Sequence, residues 1–161
     1  MQSSNLQTVY LLLGSNLGNR EEILEKAIVL LRTEVGVIKA QSQYYHTAPW
    51  GVTNQPDFIN LALAISTSLS PLEVIQKTQS IENQLGRVRK EKWGARLIDI
   101  DIIFYGAEIL DLPNLKVPHP LMQERDFVLT PLVEIASDFV HPVLGKSVFM
   151  LKQELNQTPT E

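Results

Sequence analysis

Two aspartates one residue apart, Asp99 and Asp101, interrupt an otherwise apolar run from Leu97 to Tyr105. Side chains alternate across a strand, so both carboxylates project from one face, with Ile103 and Tyr105. Ile98, Ile100, Ile102 and Phe104 are expected on the other. At ~3.3 Å of rise per residue the two Cα atoms stand roughly 6.6 Å apart. Like charges so placed repel unless a cation lies between them. Aspartate is depleted in strands, and such a pair suits hard divalent ions, which sit about 3.5–4 Å apart in two-metal sites. An Asp-x-Asp triplet also arises by chance on a solvated face, so its weight comes from its surroundings.

The surroundings are basic. Between positions 87 and 96, Arg87, Arg89, Lys90, Lys92 and Arg96 meet only Glu91, a local charge of +4 in a chain whose total is −4. The remainder therefore carries −8. An acidic protein that gathers its cations in one short segment has built a local anion site. Guanidinium forks match phosphate oxygens in bidentate fashion, so Arg87, Arg89 and Arg96 are the phosphate candidates. Lys90, Glu91 and Lys92 fit an exposed solubilising loop equally well, and Trp93 fits either a lid or a packing anchor. Carboxylate-held cations and arginines converging on one point are the means by which phosphoryl transfer is stabilised.

A second candidate surface comes from Asp57–Ser66, read as a strand. Ile59, Leu61, Leu63 and Ile65 form its core side, and Phe58, Asn60, Ala62 and Ala64 the other. An aromatic ring beside a carboxamide, with small residues beyond, suits a flat ligand with a hydrogen-bonding edge. His119 stands between two prolines in Val117-Pro118-His119-Pro120, where it can present a nitrogen to a phosphate. His46 and His141 have no visible partner. Gly14-Ser15-Asn16-Leu17-Gly18 lacks the Lys-Ser/Thr of a phosphate loop and the spacing of a dinucleotide fingerprint, and a turn before a helix accounts for it.

The elements that must position these residues are legible. Thr8–Leu13 reads as a buried strand, and Asn19 as the cap of a helix reaching about Glu34, with Glu21 and Glu22 in its first turn. Val37–His46 reads as a second strand. Ser70, Pro71 and Glu73 spell a capping box at the start of a helix that Gly86 ends. Leu97–Tyr105 is followed by a hairpin from Glu108 to Val117 and helices near Leu121–Glu124, Val128–Ala136 and Ser147–Leu155. The order β-α-β-β-α-β predicts an α+β fold, the ferredoxin-like split βαβ sandwich. Its antiparallel sheet carries helices on one face and a helical C-terminal extension, and leaves the other face for ligands.

A chain of 161 residues, 44% hydrophobic and 20% charged, is expected to form one domain spanning 1–161, with 1–7 and 156–161 as loose tails. Cysteine is absent, which excludes disulfides and thiolate chemistry. No apolar run approaches the ~18 residues of a membrane span, and the N-terminus lacks the regions of a secretory signal. A cytoplasmic monomer without membrane or nucleic-acid partners is the expectation, since a net acidic chain repels phosphate backbones.

Taken in order, Gly14-Ser15-Asn16-Leu17-Gly18, Gln55-Pro56-Asp57-Phe58-Ile59-Asn60, Gly86-Arg87-Val88-Arg89, Trp93-Gly94-Ala95-Arg96-Leu97-Ile98-Asp99-Ile100-Asp101 and Val117-Pro118-His119-Pro120 form a recognisable set. The chain resembles the 6-hydroxymethyl-7,8-dihydropterin pyrophosphokinases of the folate pathway from about Thr8 to Leu155. The resemblance implies transfer of pyrophosphate from ATP to the pterin's hydroxymethyl oxygen, releasing AMP. It implies two Mg²⁺ ions held by Asp99 and Asp101, with Arg87 and Arg96 assisting at the phosphates. By the same resemblance Gln79, Glu82, Arg89, Trp93, Ile102, His119 and Arg125 match ATP-associated positions. Phe58 and Phe127 match the rings that sandwich the pterin, with Asn60 and the backbone around Thr47, Ala48 and Trp50 reading its edge. Lys92, Ala95, Asn114 and Pro120 depart from the forms common in the family.

Two other classes compete on the residues alone. A polymerase-like nucleotidyltransferase also joins a Gly-Ser turn to Asp-x-Asp, but keeps them close in sequence. A ferredoxin-like RNA-binding module would use Tyr44, Tyr45 and Phe58 for stacking, and would need a basic sheet face where this chain places two aspartates.

Overall fold

A computed structural model describes residues 6–15, 19–47, 58–86 and 98–157. Four long strands form the sheet: β1 (Gln7–Ser15), β2 (Val37–Gln41), β4 (Phe58–Thr67) and β5 (Asp99–Tyr105). They lie in the order β2-β4-β1-β5, all antiparallel, and the short β3 (Tyr45–Thr47) adds to β4. This is the expected ferredoxin-like topology, with β1 at the centre.

The first helix, α1 (Arg20–Glu34), starts where expected: the Asn19 side chain accepts the Glu22 backbone N–H at 3.2 Å. The second, α2 (Pro71–Gly86), opens with the full capping box. Ser70 N–H donates to Glu73 Oε1 at 2.8 Å, and Glu73 N–H to Ser70 Oγ at 3.2 Å. Both helices lie on one face of the sheet. Their buried residues Leu24, Ala27, Leu31, Val74 and Ile81 pack against Val9, Leu11, Leu13, Ile59, Leu61, Leu63 and Ile65.

The second face is not left free along its length. After a hairpin of β6 (Leu110–Leu112) and β7 (Leu115–Val117) and a 3-10 turn at Met122–Glu124, the chain returns as α3 (Asp126–Ala136) and α4 (Val148–Gln157). These bury Val128, Leu129, Leu132, Val148 and Leu151 against Leu12, Ala62, Ile103 and Phe104. The helical extension is thus a third layer. It meets a cluster of rings in which Phe104 and Phe139 lie 4.6 Å apart and Tyr10 and Phe139 5.1 Å apart.

Two expectations about the strands need correction. Val37–His46 is not one strand but two, because Ser42 takes over the pairing between them. Ser42 N–H donates to Ala62 O at 2.9 Å, and Ser42 Oγ accepts the Ala62 N–H at 2.9 Å. A side-chain oxygen there does the work of a ladder carbonyl, so the edge can bend. In β5, the register with β1 slips: Leu11 faces Ile102, but Tyr10 faces Phe104, leaving Ile103 as an extra residue. The bulge shifts the parity beyond it. Phe104 and Ile103 both enter the α3/α4 core, and Tyr105 turns into the α1/α2 core, the reverse of the strict alternation. Tyr105 there donates its hydroxyl to Leu69 O at 2.5 Å.

His141 does have partners. It is 4% exposed, lies edge-on to Phe104 with centroids 5.5 Å apart, and its Nδ1 accepts from the Val143 and Leu144 N–H groups at 3.1 Å each. Burial pushes its pKa below the ordinary 6.5. The unfolded chain then holds the proton more tightly than the native one. The neutral ring's contribution is fully present above about pH 6.5 and is lost as pH falls toward the depressed native value. His141→Asn keeps an acceptor near Nδ1 but cannot titrate. Its melting temperature should drop less than the parent's between about pH 7 and about pH 5, with a residual slope from His119, which burial shifts the same way.

Candidate active site

Three strands meet at one level of the sheet. Gly14 in β1 stands directly opposite Asn60 in β4 and, on its other side, Asp99 in β5. Directly opposed residues share a face, so the row reads Asn60, Gly14, Asp99. The next row on that face is Ala62, Leu12, Asp101. With neighbouring strands ~4.8 Å apart, Asn60 and Asp99 lie roughly 10 Å apart with no side chain between them. A Cβ on Gly14 would come 2.7 Å from Asn60 Oδ1. Gly14 and Ser15 are thus the last residues of β1, not the first of a turn, and space is what demands the glycine. Positive φ is confined to Gly106 and Gly145 among the described residues.

Asn60 is held firmly. It is 4% exposed, and its Nδ2 donates to Thr47 Oγ1 at 2.9 Å. Thr47 pairs across the ladder with Phe58, which is half-buried. Phe58, Asn60 and Thr47 therefore come together, with Asn60 Oδ1 directed at the gap over Gly14. Ala48 and Trp50 lie outside the described residues.

At the other end of the row, Asp99 is half-buried and Asp101 exposed. Glu82, on α2, fixes the peptide between them: its Oε2 accepts the Ile100 N–H at 2.7 Å. Since β5 is an edge strand, Ile100 and Ile102 turn their backbone groups outward by alternation. The Ile102 side chain itself is buried in the α1/α2 core, so only its backbone can face a ligand. Gln79 is exposed on α2 and, with Gln76, Ser80, Asn83 and Gln84, lines a shallow cavity of about 490 Å³.

His119 runs beside the β5 bulge, where its N–H donates to Ile103 O at 2.9 Å. Its pKa is lowered chiefly by burial; the Asp101 carboxylate opposes that shift and the Arg125 guanidinium adds to it. Both charges are thus felt at the His119 ring. Arg125 in turn lies over the Phe127 ring, 5.9 Å from its centroid, within cation–π range. The structure thus gathers Asp101, His119, Arg125 and Phe127. Arg87, Arg89, Trp93 and Arg96 lie outside the described residues, as do Lys92 and Ala95; Asn114 is in the β6–β7 turn and Pro120 follows His119 on the surface.

No group of three or more His, Asp or Glu side chains clusters among the described residues. Asp99 and Asp101 are a two-carboxylate donor set. Magnesium is ordinarily bound by one or two carboxylates together with water and substrate phosphates, and not by a full protein cage, so the set fits a cation delivered with a phosphate ligand.

Two contributors were not read from the sequence. Gly14 could have been found, because a glycine within a strand marks a close approach. Glu134 could not. Its Oε1 accepts from the Gln43 N–H at 2.9 Å and the Tyr45 hydroxyl at 2.7 Å, partners 91 and 89 positions away.

Fold and site together define a ferredoxin-like α+β domain with an acidic pair at one end of a cross-strand row and the Asn60 carboxamide at the other. The sequence profile of the 7,8-dihydro-6-hydroxymethylpterin-pyrophosphokinase (HPPK) family matches residues 10–137. A protein of Aquifex aeolicus named 2-amino-4-hydroxy-6-hydroxymethyldihydropteridine pyrophosphokinase is 41% identical over 154 residues, covering 96% of each chain. One of the same name from Bacillus subtilis is 46% identical over 127 residues, covering 78% of this chain and 76% of the relative. The chain belongs to the HPPK family. The fold also superposes on the wild-type Plasmodium falciparum HPPK-DHPS crystal structure with a TM-score of 0.76 at 17% identity, covering 96% of this chain. This chain spans 45% of that longer one.

If clearance over Gly14 is the constraint, Gly14→Ala should displace the Asn60 carboxamide and cost about 1–3 kcal/mol. Urea unfolding of Gly14→Ala, Asn60→Ala and the double variant checks it. The double variant should be more stable than the sum of the single losses allows, because Asn60→Ala removes the obstacle.

Proposed function

We propose that the chain transfers the terminal pyrophosphoryl group of ATP to the hydroxymethyl oxygen of 6-hydroxymethyl-7,8-dihydropterin, releasing AMP, in folate biosynthesis. The observation that carries this, in a member of the HPPK family, is the Asn60–Gly14–Asp99 row. It supports a reading in which a flat amide-edged ring sits over Gly14, between Asn60 and the acidic pair on the strand beyond β1. The RNA-binding alternative has no support from a sheet face that presents Asp99 and Asp101.

The reaction is an in-line displacement at the β-phosphorus. A bond forms from the hydroxymethyl oxygen, whose proton is lost to solvent, as the bond to the α,β-bridging oxygen breaks, and AMP leaves with that oxygen. Positioning and charge neutralisation do most of the work in such transfers. Asn60, whose Nδ2 is occupied by Thr47, offers Oδ1 to a ring N–H donor. Phe58 and Phe127 sandwich the ring, and Ala48 and Trp50 complete its edge. Asp99 and Asp101 would hold Mg²⁺, two ions by the family likeness, which would supply charge neutralisation at the phosphate oxygens. Glu82 keeps the two carboxylates in register through the Ile100 amide.

His119 stays neutral near pH 7, since its pKa is lowered. Its Nδ1 faces the Leu121 N–H at 3.4 Å, which leaves the proton on Nε2 for a phosphate oxygen. Arg125 supplies charge beside it. Gln79, Glu82 and the outward backbone of Ile102 flank the nucleotide base, with Arg89 and Trp93, and Arg87 and Arg96 clasp the phosphates. The chain acts as a single domain, as a cytoplasmic monomer on small-molecule substrates without nucleic-acid or membrane partners.

The purified chain, given ATP, Mg²⁺ and hydroxymethyl-dihydropterin, should release AMP. Release of ADP would point to an ordinary kinase and overturn the proposal. Asp99→Ala and Asp101→Ala should each keep native circular dichroism and lose kcat by roughly 10³-fold or more, the scale of removing preorganised charge stabilisation. Full activity in both would remove the pair from the site.

A further inference from the structure

The edge strand β3 has little hold on the sheet. It is three residues long, pairs among the described residues with β4 alone, and follows the break at Ser42. A three-residue edge strand makes too few ladder bonds to fix its own register. Yet it carries Thr47, the acceptor that orients Asn60.

What supplements it comes from another layer. One carboxylate oxygen of α3, Glu134 Oε1, accepts both the Gln43 N–H at 2.9 Å and the Tyr45 hydroxyl at 2.7 Å. Bonds to an ionised acceptor are stronger than neutral ones. The pull is visible on the phenol, whose pKa is raised first by its bond to Glu134. Tyr45 stands directly opposite Asn60, so the clamp sits one strand from the residue it serves. At the helix end, Glu134 follows Phe127 by seven residues, two turns along one stripe of α3 and about 10.5 Å along its axis. The same stripe therefore bears the Phe127 ring at its start and the clamp further along.

We propose that Glu134 is a positioning residue for the pterin half of the reaction. Its carboxylate locks β3 to α3 and so fixes the edge-reading pair, Thr47 and Asn60, relative to the Phe127 ring. It touches no reacting atom. This inference rests on the pterin reading above and adds to it the link between the two walls of the slot.

Steady-state kinetics on the full chain, with each substrate varied at saturation of the other, test it. Glu134→Ala should raise KM for the pterin roughly tenfold, the scale of losing about 1.4 kcal/mol, with KM for ATP unchanged within about twofold. Glu134→Gln keeps an Oε1 acceptor for both donors and should restore the pterin KM to near the parent's. Tyr45→Phe should lie between, and adding it to Glu134→Ala should cost nothing more. An unchanged pterin KM in Glu134→Ala, an equal rise in both KM values, or a Gln variant as impaired as Ala would overturn it. A parent chain that turns over no pterin at all is a different result: it removes the proposed reaction, and this inference with it.

Discussion

The register of β1 against both its neighbours governs the site. Because the side-chain period of a strand is two, a slip of one residue on either side would send Asn60 or Asp99 to the opposite face. The slip is prevented by burial. Val9, Leu11 and Leu13 are fully enclosed by α1 and α2 on one side, and Leu12 lies at 3% exposure under α3 and α4 on the other. Shifting β1 would expose this apolar surface, at roughly 1.5–3 kcal/mol for each large side chain. Two layers of core thus hold one row of chemistry in place.

The third layer has a second consequence. Had the far face stayed open, as the β-α-β-β-α-β pattern alone allows, the row above Gly14 would be one patch on a broad wet surface. Instead α3 and α4 cover the sheet over Leu12 and Ala62, and at the start of α3 Arg125 stands over the Phe127 ring. The β5 bulge fits this arrangement. It delivers both Ile103 and Phe104 to the third layer, and its carbonyl takes the His119 N–H.

Much of this was legible in the residues. The capping box at Ser70–Glu73, the Asn19 cap and the alternation of β4 are local signals, and each element formed as read. The shared side of Asp99 and Asp101 also followed from period two, since they precede the bulge. What failed was non-local. Tyr105 and Phe104 exchanged faces because β1 and β5 differ by one residue in length between shared pairs, which no single strand records. The break at Ser42 depends on the Ala62 amide twenty positions away. Gly14 was visible but assigned to a turn, and its reason appears only when Asn60 is seen across from it. The arginines and tryptophan of 87–96 were singled out by charge and spacing and lie outside the described residues.

The hydrogen bond from Ile100 to Glu82 reaches beyond the carboxylates it aligns. An outermost strand ordinarily shows a line of unsatisfied amides and carbonyls to which any foreign strand can zip. Here one such amide is already occupied by a side chain from α2, and the Ile103 carbonyl further along is occupied by His119. An incoming strand would have to evict both partners before it could bond. The border of the sheet is guarded by the same contacts that align Asp99 and Asp101.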